Sequence, residues 1–149
     1  MVEVKMDASQ FNADVQGMLK RAMNATYAFN LIAAQMEATT IRRFKTTTSP
    51  DGQRWKPLAD STVARRRKGS SVPLSDTGTL KNSIAGSGKA GSKQATVSTN
   101  IQYAAIHNYG GKAGRGRKVN IPQRQFMGIA AGEVKRYNAI LNRYIVEGS

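Results

Sequence analysis

His107, the only histidine, nine carboxylates and a glycine run at Gly86-Ser87-Gly88-Lys89-Ala90-Gly91 are the residues of this chain that could do chemistry. A hydrolytic triad needs a histidine beside a nucleophile and an orienting carboxylate, and no local signature around His107 supplies either. A zinc site would have to join His107 to distant carboxylates, because the chain has no cysteine. The acids are scattered and form no tight cluster of the kind a two-metal nuclease uses. The glycine run matches G-x-G-x-x-G letter for letter. A dinucleotide site, however, places that pattern between a strand and a following helix, with an acidic ribose ligand further on. Here a strand is expected after the glycines and no such acid follows. Read as a phosphate loop, Gly91-Ser92-Lys93 has the lysine and hydroxyl in inverted order. The expectation is a protein that is not an enzyme, with no catalytic residue, no cofactor and no metal. His107 then reads as a packed or hydrogen-bonded residue ahead of a Tyr109-Gly110 turn.

The charged residues say more. Twenty-three Lys and Arg against nine Asp and Glu give a formal charge of +14, which attracts phosphate backbones or acidic protein surfaces. Two concentrations stand out. Arg65, Arg66, Arg67 and Lys68 are too dense in charge for a core face and should be exposed. Lys112, Arg115, Arg117, Lys118 and Arg124 share a segment without a single acid. These nine are the candidate contacts to DNA or to an acidic protein, and a phosphate contact would weaken strongly with salt.

The elements that carry them read as follows. Val2, Val4 and Met6 alternate with charged residues and suit an extended arm over residues 1–8. Asp7 or Ser9 could cap a helix. From Phe11 the apolar positions Val15, Met18, Ala22, Phe29, Ile32, Ala33, Met36, Ile41 and Phe44 fall on one helical stripe. That spacing predicts one helix of about thirty residues, about 45 Å long. Gly17 is its only strong breaker, and the Asn24-Ala25-Thr26 sequon reads as incidental. Pro50-Asp51-Gly52 ends it in a turn. Trp55, the sole tryptophan, should anchor its loop with the indole N–H partnered. Asp60 or Ser61 could cap a short helix through the first basic cluster, stopped by Gly69-Ser70-Ser71. Thr77-Gly78-Thr79-Leu80 turns into a short element ending near Ile84. Residues 86–92 read as a hairpin tip, Thr96-Val97-Ser98-Thr99 as a strand, and Val119 with Ile121 as another. Phe126, Ile129, Ala130, Val134, Tyr137, Ile140, Leu141 and Tyr144 repeat at helical spacing.

The result is a single α+β domain over 1–149. A long N-terminal helix and a C-terminal helix pack on a small antiparallel β-sheet with long basic loops, those near 65–72 and 111–118 being mobile. No apolar run resembles a signal peptide or a membrane span.

One ordered series resembles a known family. Asp51, Gly52 and Trp55 come first, then Thr77, Gly78 and Leu80. Tyr103, Ala104, His107 and Gly110 follow, and Pro122, Arg124 and Phe126 close it. In that order they resemble the phage virion morphogenesis family, whose members are tail-completion or head–tail joining proteins. The likeness covers the chain from near Phe44 onward, and the N-terminal helix matches in character only. It implies a structural protein of the virion, at the tail or head–tail junction, made in the host bacterial cytoplasm. Its partners would be other tail or neck/connector proteins and further copies of itself in a ring at the head-proximal tail end. Genomic DNA would pass nearby, with no membrane and no small-molecule substrate. The series reads as fold punctuation, with Arg124 at a helix start, free to pair with a carboxylate or a neighbouring subunit. The alternative is a small basic, non-specific DNA-binding protein.

Overall fold

A computed structural model describes residues 2–5, 7–66 and 70–149. Arg67 and Lys68 of the first basic cluster lie outside the described residues. Asp7 Oδ1 accepts a hydrogen bond from Ser9 N at 2.9 Å, and helix α1, Ser9–Met23, starts there. The single long helix expected from the apolar stripe is two helices, since α2 runs Thr26–Thr46. The break falls on the Asn24-Ala25-Thr26 tripeptide. Asn24 Oδ1 accepts from Thr26 Oγ1 at 2.7 Å and from Thr26 N at 3.3 Å, a local side-chain turn that competes with the helical ladder. Ala25 N donates instead to Ser92 O at 3.0 Å.

α2 ends at Thr47, in the left-handed region at φ 52°. The turn that follows is closed by a bridge between Thr48 and Arg54, by Asp51 Oδ1 accepting from Gln53 N, and by Gly52 at φ 85°. The core gathers around that turn. Phe44 of α2, Trp55, Leu80 of α4 (Thr79–Asn82), Ile84, Ala104 of α5 (Ala104–Tyr109) and Phe126 form one buried cluster. Phe44 packs edge-on against Trp55 at 5.6 Å and tilted against Phe126 at 5.3 Å. Phe126 and Ile84 are wholly buried, each contributing about 1.5–3 kcal/mol of apolar transfer. The Trp55 indole N–H donates to Gln125 O at 2.9 Å, the partner a buried indole requires.

The architecture is α+β, with its strands in two separate antiparallel hairpins. β1, Lys89–Ala90, pairs with β2, Ala95–Thr96, around a tip at residues 91–94. This strand is shorter and earlier than the Thr96–Thr99 reading, and the tip lies beyond most of the 86–92 stretch. β3, Gly111–Ala113, pairs with β4, Val119–Ile121, around a 3₁₀ turn at Arg115–Arg117. A short α3 spans Asp60–Arg65.

The last helix, α6, spans Ala131–Glu147 and starts five residues after Phe126. Phe126 sits in a non-helical stretch, where Asn108 Oδ1 accepts from both its N–H, at 3.0 Å, and that of Met127, at 2.9 Å. Ile129 and Val134, placed on the buried stripe by their spacing, are 51% and 45% exposed. α6 packs on α2 and on α1. Arg21 of α1 donates to the terminal carbonyls of Ile145 (2.7 Å) and Val146 (3.0 Å), a favourable place for a cation.

Candidate interaction site

The glycine run has an internal occupant. Gly86 N and Gly88 N donate to the two carboxylate oxygens of Glu37 at 2.8 and 2.9 Å. A Cβ on Gly88 would stand 3.0 Å from Glu37 Oε2 and 3.2 Å from Ala33 O. The glycines let backbone amides approach an anion, and that anion is supplied by α2. Glu37 was not singled out from sequence, although it lies four residues from both Ala33 and Ile41 on the helix stripe and so faces inward.

A second unforeseen carboxylate is Glu133. It accepts two hydrogen bonds from Arg43 Nη2, at 2.7 and 2.9 Å, and one from Ala130 N at 2.9 Å. Arg43 Nη1 reaches the carbonyls of Phe126 and Gly128 at 3.0 and 2.8 Å. Both charges are buried, and together they tie α2, the 126–130 stretch and α6. Nothing local marks the pair: Ala130 lacks the hydroxyl that would flag a capping box, and ninety residues separate the partners.

The residues that carry the family resemblance serve three ends. Trp55, Leu80, Ala104 and Phe126 enter the core, while Asp51 and Gly52 shape a turn. Thr77, Gly78, Tyr103, His107 and Arg124 line one cleft of about 290 Å³, with Leu80 at its base and Arg66 beside them. Three chain segments build it. Gly78 at φ 79° turns the chain into α4. α5 presents Tyr103 and His107 one turn apart, rings 5.8 Å apart and near perpendicular. The 123–127 stretch is stitched to the end of α5 by Arg124 N donating to His107 O at 2.8 Å. Gly110 permits that approach: at φ 74°, a Cβ would meet Gln123 N at 2.9 Å. Pro122 follows β4 and leads into this stretch.

Arg124 does not stand at a helix start. It is buried, 5% exposed, with Nε donating to Lys56 O at 2.7 Å and Nη2 to Pro57 O at 2.8 Å. Its acceptors are carbonyls rather than a carboxylate. Burial, then the charge of Arg66, holds its pKa below the ordinary guanidinium value. His107 Nδ1 is buried without a hydrogen-bond partner. Burial first, then Arg124 and Arg66, pushes the His107 pKa below its usual 6.5, so the ring is neutral and the cleft positive through its arginines.

The remaining surface candidates lie elsewhere. Arg65 is exposed at the end of α3, and Arg66 is half-buried with Nη1 donating to Val72 O. Lys112, Arg115, Arg117 and Lys118 are all exposed on the β3–β4 hairpin, whose ladder has the register Lys112↔Asn120. Sequence placed Arg124 with these surface cations; the structure sets it apart in the cleft.

The sequence profile of the phage virion morphogenesis family matches residues 6–146, taking in the N-terminal helices as well. The chain is also 37% identical over 131 residues to Mu-like prophage FluMu G protein 2 of Haemophilus influenzae, a match covering 85% of this chain and 83% of that protein. No solved structure matches it.

Proposed function

Since this chain belongs to the phage virion morphogenesis family, we propose that it completes the phage tail or joins it to the head, as a ring at the head-proximal tail end. Its role in phage morphogenesis is structural, and on this reading it proceeds by surface complementarity and avidity, without catalysis.

The observation that carries the reading is surface area. The chain exposes 10573 Å², whereas a compact monomer of 16.2 kDa exposes about 7,450 Å². The excess of about 3,000 Å² reflects helix faces and extended segments that the chain does not cover by itself, surface of the size that assembly contacts bury. α1 has no buried residue. Phe11, Leu19 and Met23 on it, with Tyr27 and Leu31 on α2, are between 42% and 74% exposed. Partner subunits and neighbouring tail or neck proteins would cover such a face.

Electron microscopy of lysates from the source phage or prophage, with this gene deleted, tests the assignment. Filled heads beside separate or malformed tails are expected, and intact infectious particles would reject it. The four exposed cations of the β3–β4 hairpin favour a second reading, non-specific DNA binding. That reading requires the free protein to hold duplex DNA with an affinity that falls steeply with salt.

A further inference from the structure

Arg43 and Arg124 are the two buried arginines among the described residues, 4% and 5% exposed, and they differ in one respect. Arg43 has a carboxylate, Glu133, as well as two carbonyls. Arg124 has only the carbonyls of Lys56 and Pro57 and forms no ion pair among the described residues. A buried charge is costly unless it is paired as well as hydrogen-bonded. Arg124 also lines an open cleft together with a second arginine, Arg66, which likewise forms no ion pair among the described residues. Two arginines without an ion pair among the described residues therefore line a space of about 290 Å³ whose wall holds one carboxylate, Asp76.

We propose that this cleft receives a carboxylate from an acidic peptide segment of an adjoining virion protein, with Arg124 and Arg66 as its binding residues. The proposal rests on the assembly role given above. Guanidinium groups suit the planar carboxylate and its charge-assisted hydrogen bonds. The rest of the wall suits a peptide better than a nucleic acid. Leu58, Leu74, Leu80 and Tyr103 offer apolar surface to the residues flanking the acid. Asp76, the one carboxylate in the wall, would repel a phosphate backbone carrying one charge after another. A single carboxylate between apolar side chains meets less opposition. His107 adds no positive charge when neutral, and its place in the same wall, within reach of both arginine charges, makes it a reporter of what binds.

The test uses the full-length protein and the uniqueness of His107. The peptide acetyl-Leu-Asp-Leu-amide is titrated while the His107 ring signals are followed by NMR across pH, with the Asn counterpart as control. The Asp peptide should shift those signals and leave the His107 pKa higher than it is with the Asn peptide, because its carboxylate offsets the Arg124 and Arg66 charges, whereas the added burial is common to both. Arg66→Gln, at a half-buried position, should weaken the Asp peptide at least about tenfold while circular dichroism stays unchanged. Equal effects from both peptides, or no loss in Arg66→Gln, would overturn the proposal. So would a short DNA duplex that moves the His107 signals when the Asp peptide does not. The deletion experiment separates the two levels of inference. Defective particles with the gene deleted, rescued in full by Arg66→Gln, would remove the cleft proposal and leave the assembly role standing.

Discussion

Replacing Glu133 by Gln keeps the side chain's volume while removing its charge and one of its two acceptor oxygens, so it tests what the buried pair does. The Glu133 side chain is 10% exposed and that of Arg43 is 5% exposed. The substitution leaves the Arg43 cation with neutral oxygens alone, and the new amide cannot accept at both positions now facing Arg43 Nη2 and Ala130 N. Breaking a buried pair from one side costs about 3–5 kcal/mol. Because an isosteric amide keeps one acceptor, a loss of about 3 kcal/mol is expected, at the lower end of that range. For a chain of this size that corresponds to a fall in Tm of about 6–12 °C. The chain contains its own control. Arg143 and Glu147 form the same type of pair at 3.3 Å, with side chains 67% and 61% exposed. Glu147→Gln should change stability by less than about 0.5 kcal/mol. Urea unfolding followed by the fluorescence of Trp55, whose ring packs on Phe44 one residue from Arg43, measures both variants. Equal small losses in the two would show that Arg43 is not desolvated, and the reasoning would fail.

Two further outcomes follow from the site. The His107 pKa is depressed in the folded chain, so the unfolded chain binds a proton first as pH falls. Stability from this group is thus present above its ordinary pKa of 6.5 and declines as pH drops below it toward the folded value. Thermal unfolding at pH 7.5 and pH 5.5 should show that decline, and His107→Asn should flatten it; an unchanged slope would mean that His107 is solvated. Gly110→Ala combines a left-handed φ of 74° with a Cβ placed 2.9 Å from Gln123 N. It should destabilise by more than the roughly 1 kcal/mol of the backbone preference alone, and urea midpoints compared with Gly52→Ala, where no atom lies within 4 Å, give the difference.

Local chemistry explains which of these features could be seen in the sequence. Trp55, the Asp51-Gly52 turn and the Gly78 turn were legible because a large ring or a positive-φ residue has few alternative uses. Phe126 was legible as core but was assigned to the wrong element. Its spacing to Ala130 and Val134 is helical, yet its stretch is non-helical and tied to α5 through the Asn108 side chain, a tertiary contact that spacing does not encode. The break at Asn24 was hidden because neither glycine nor proline marks it. It depends on one side-chain turn and on Ala25 N finding Ser92 O on the distant β1–β2 hairpin. The Arg43–Glu133 pair had no local signal at all. Of the cleft, Thr77, Gly78, Tyr103, His107 and Arg124 were each singled out by resemblance. Their convergence depends on α5 gripping the 123–127 stretch, a tertiary event that spacing does not encode.

A formal charge of +14 treats every cation as equivalent, and the fold separates them into groups with different consequences. Arg43 is neutralised internally by Glu133, so the pair adds little to the outward field and removing Arg43 disturbs folding by leaving Glu133 buried and unpaired. Lys112, Arg115, Arg117 and Lys118 are exposed on a hairpin, so Arg115→Gln with Arg117→Gln should leave Tm within about 1 °C, as surface changes do. The same double change should reduce the salt dependence of any polyanion contact by up to about two charges. Arg124 belongs to neither group, being buried yet without an ion pair among the described residues. Neutralising it removes a charge without such a pair along with two hydrogen bonds to carbonyls, so its stability cost should be smaller than that of Arg43→Gln. Urea unfolding of the two Gln variants decides the matter. A larger loss for Arg124→Gln would mean that the two carbonyls compensate its charge in full, leaving the cleft no electrostatic reason to bind a carboxylate.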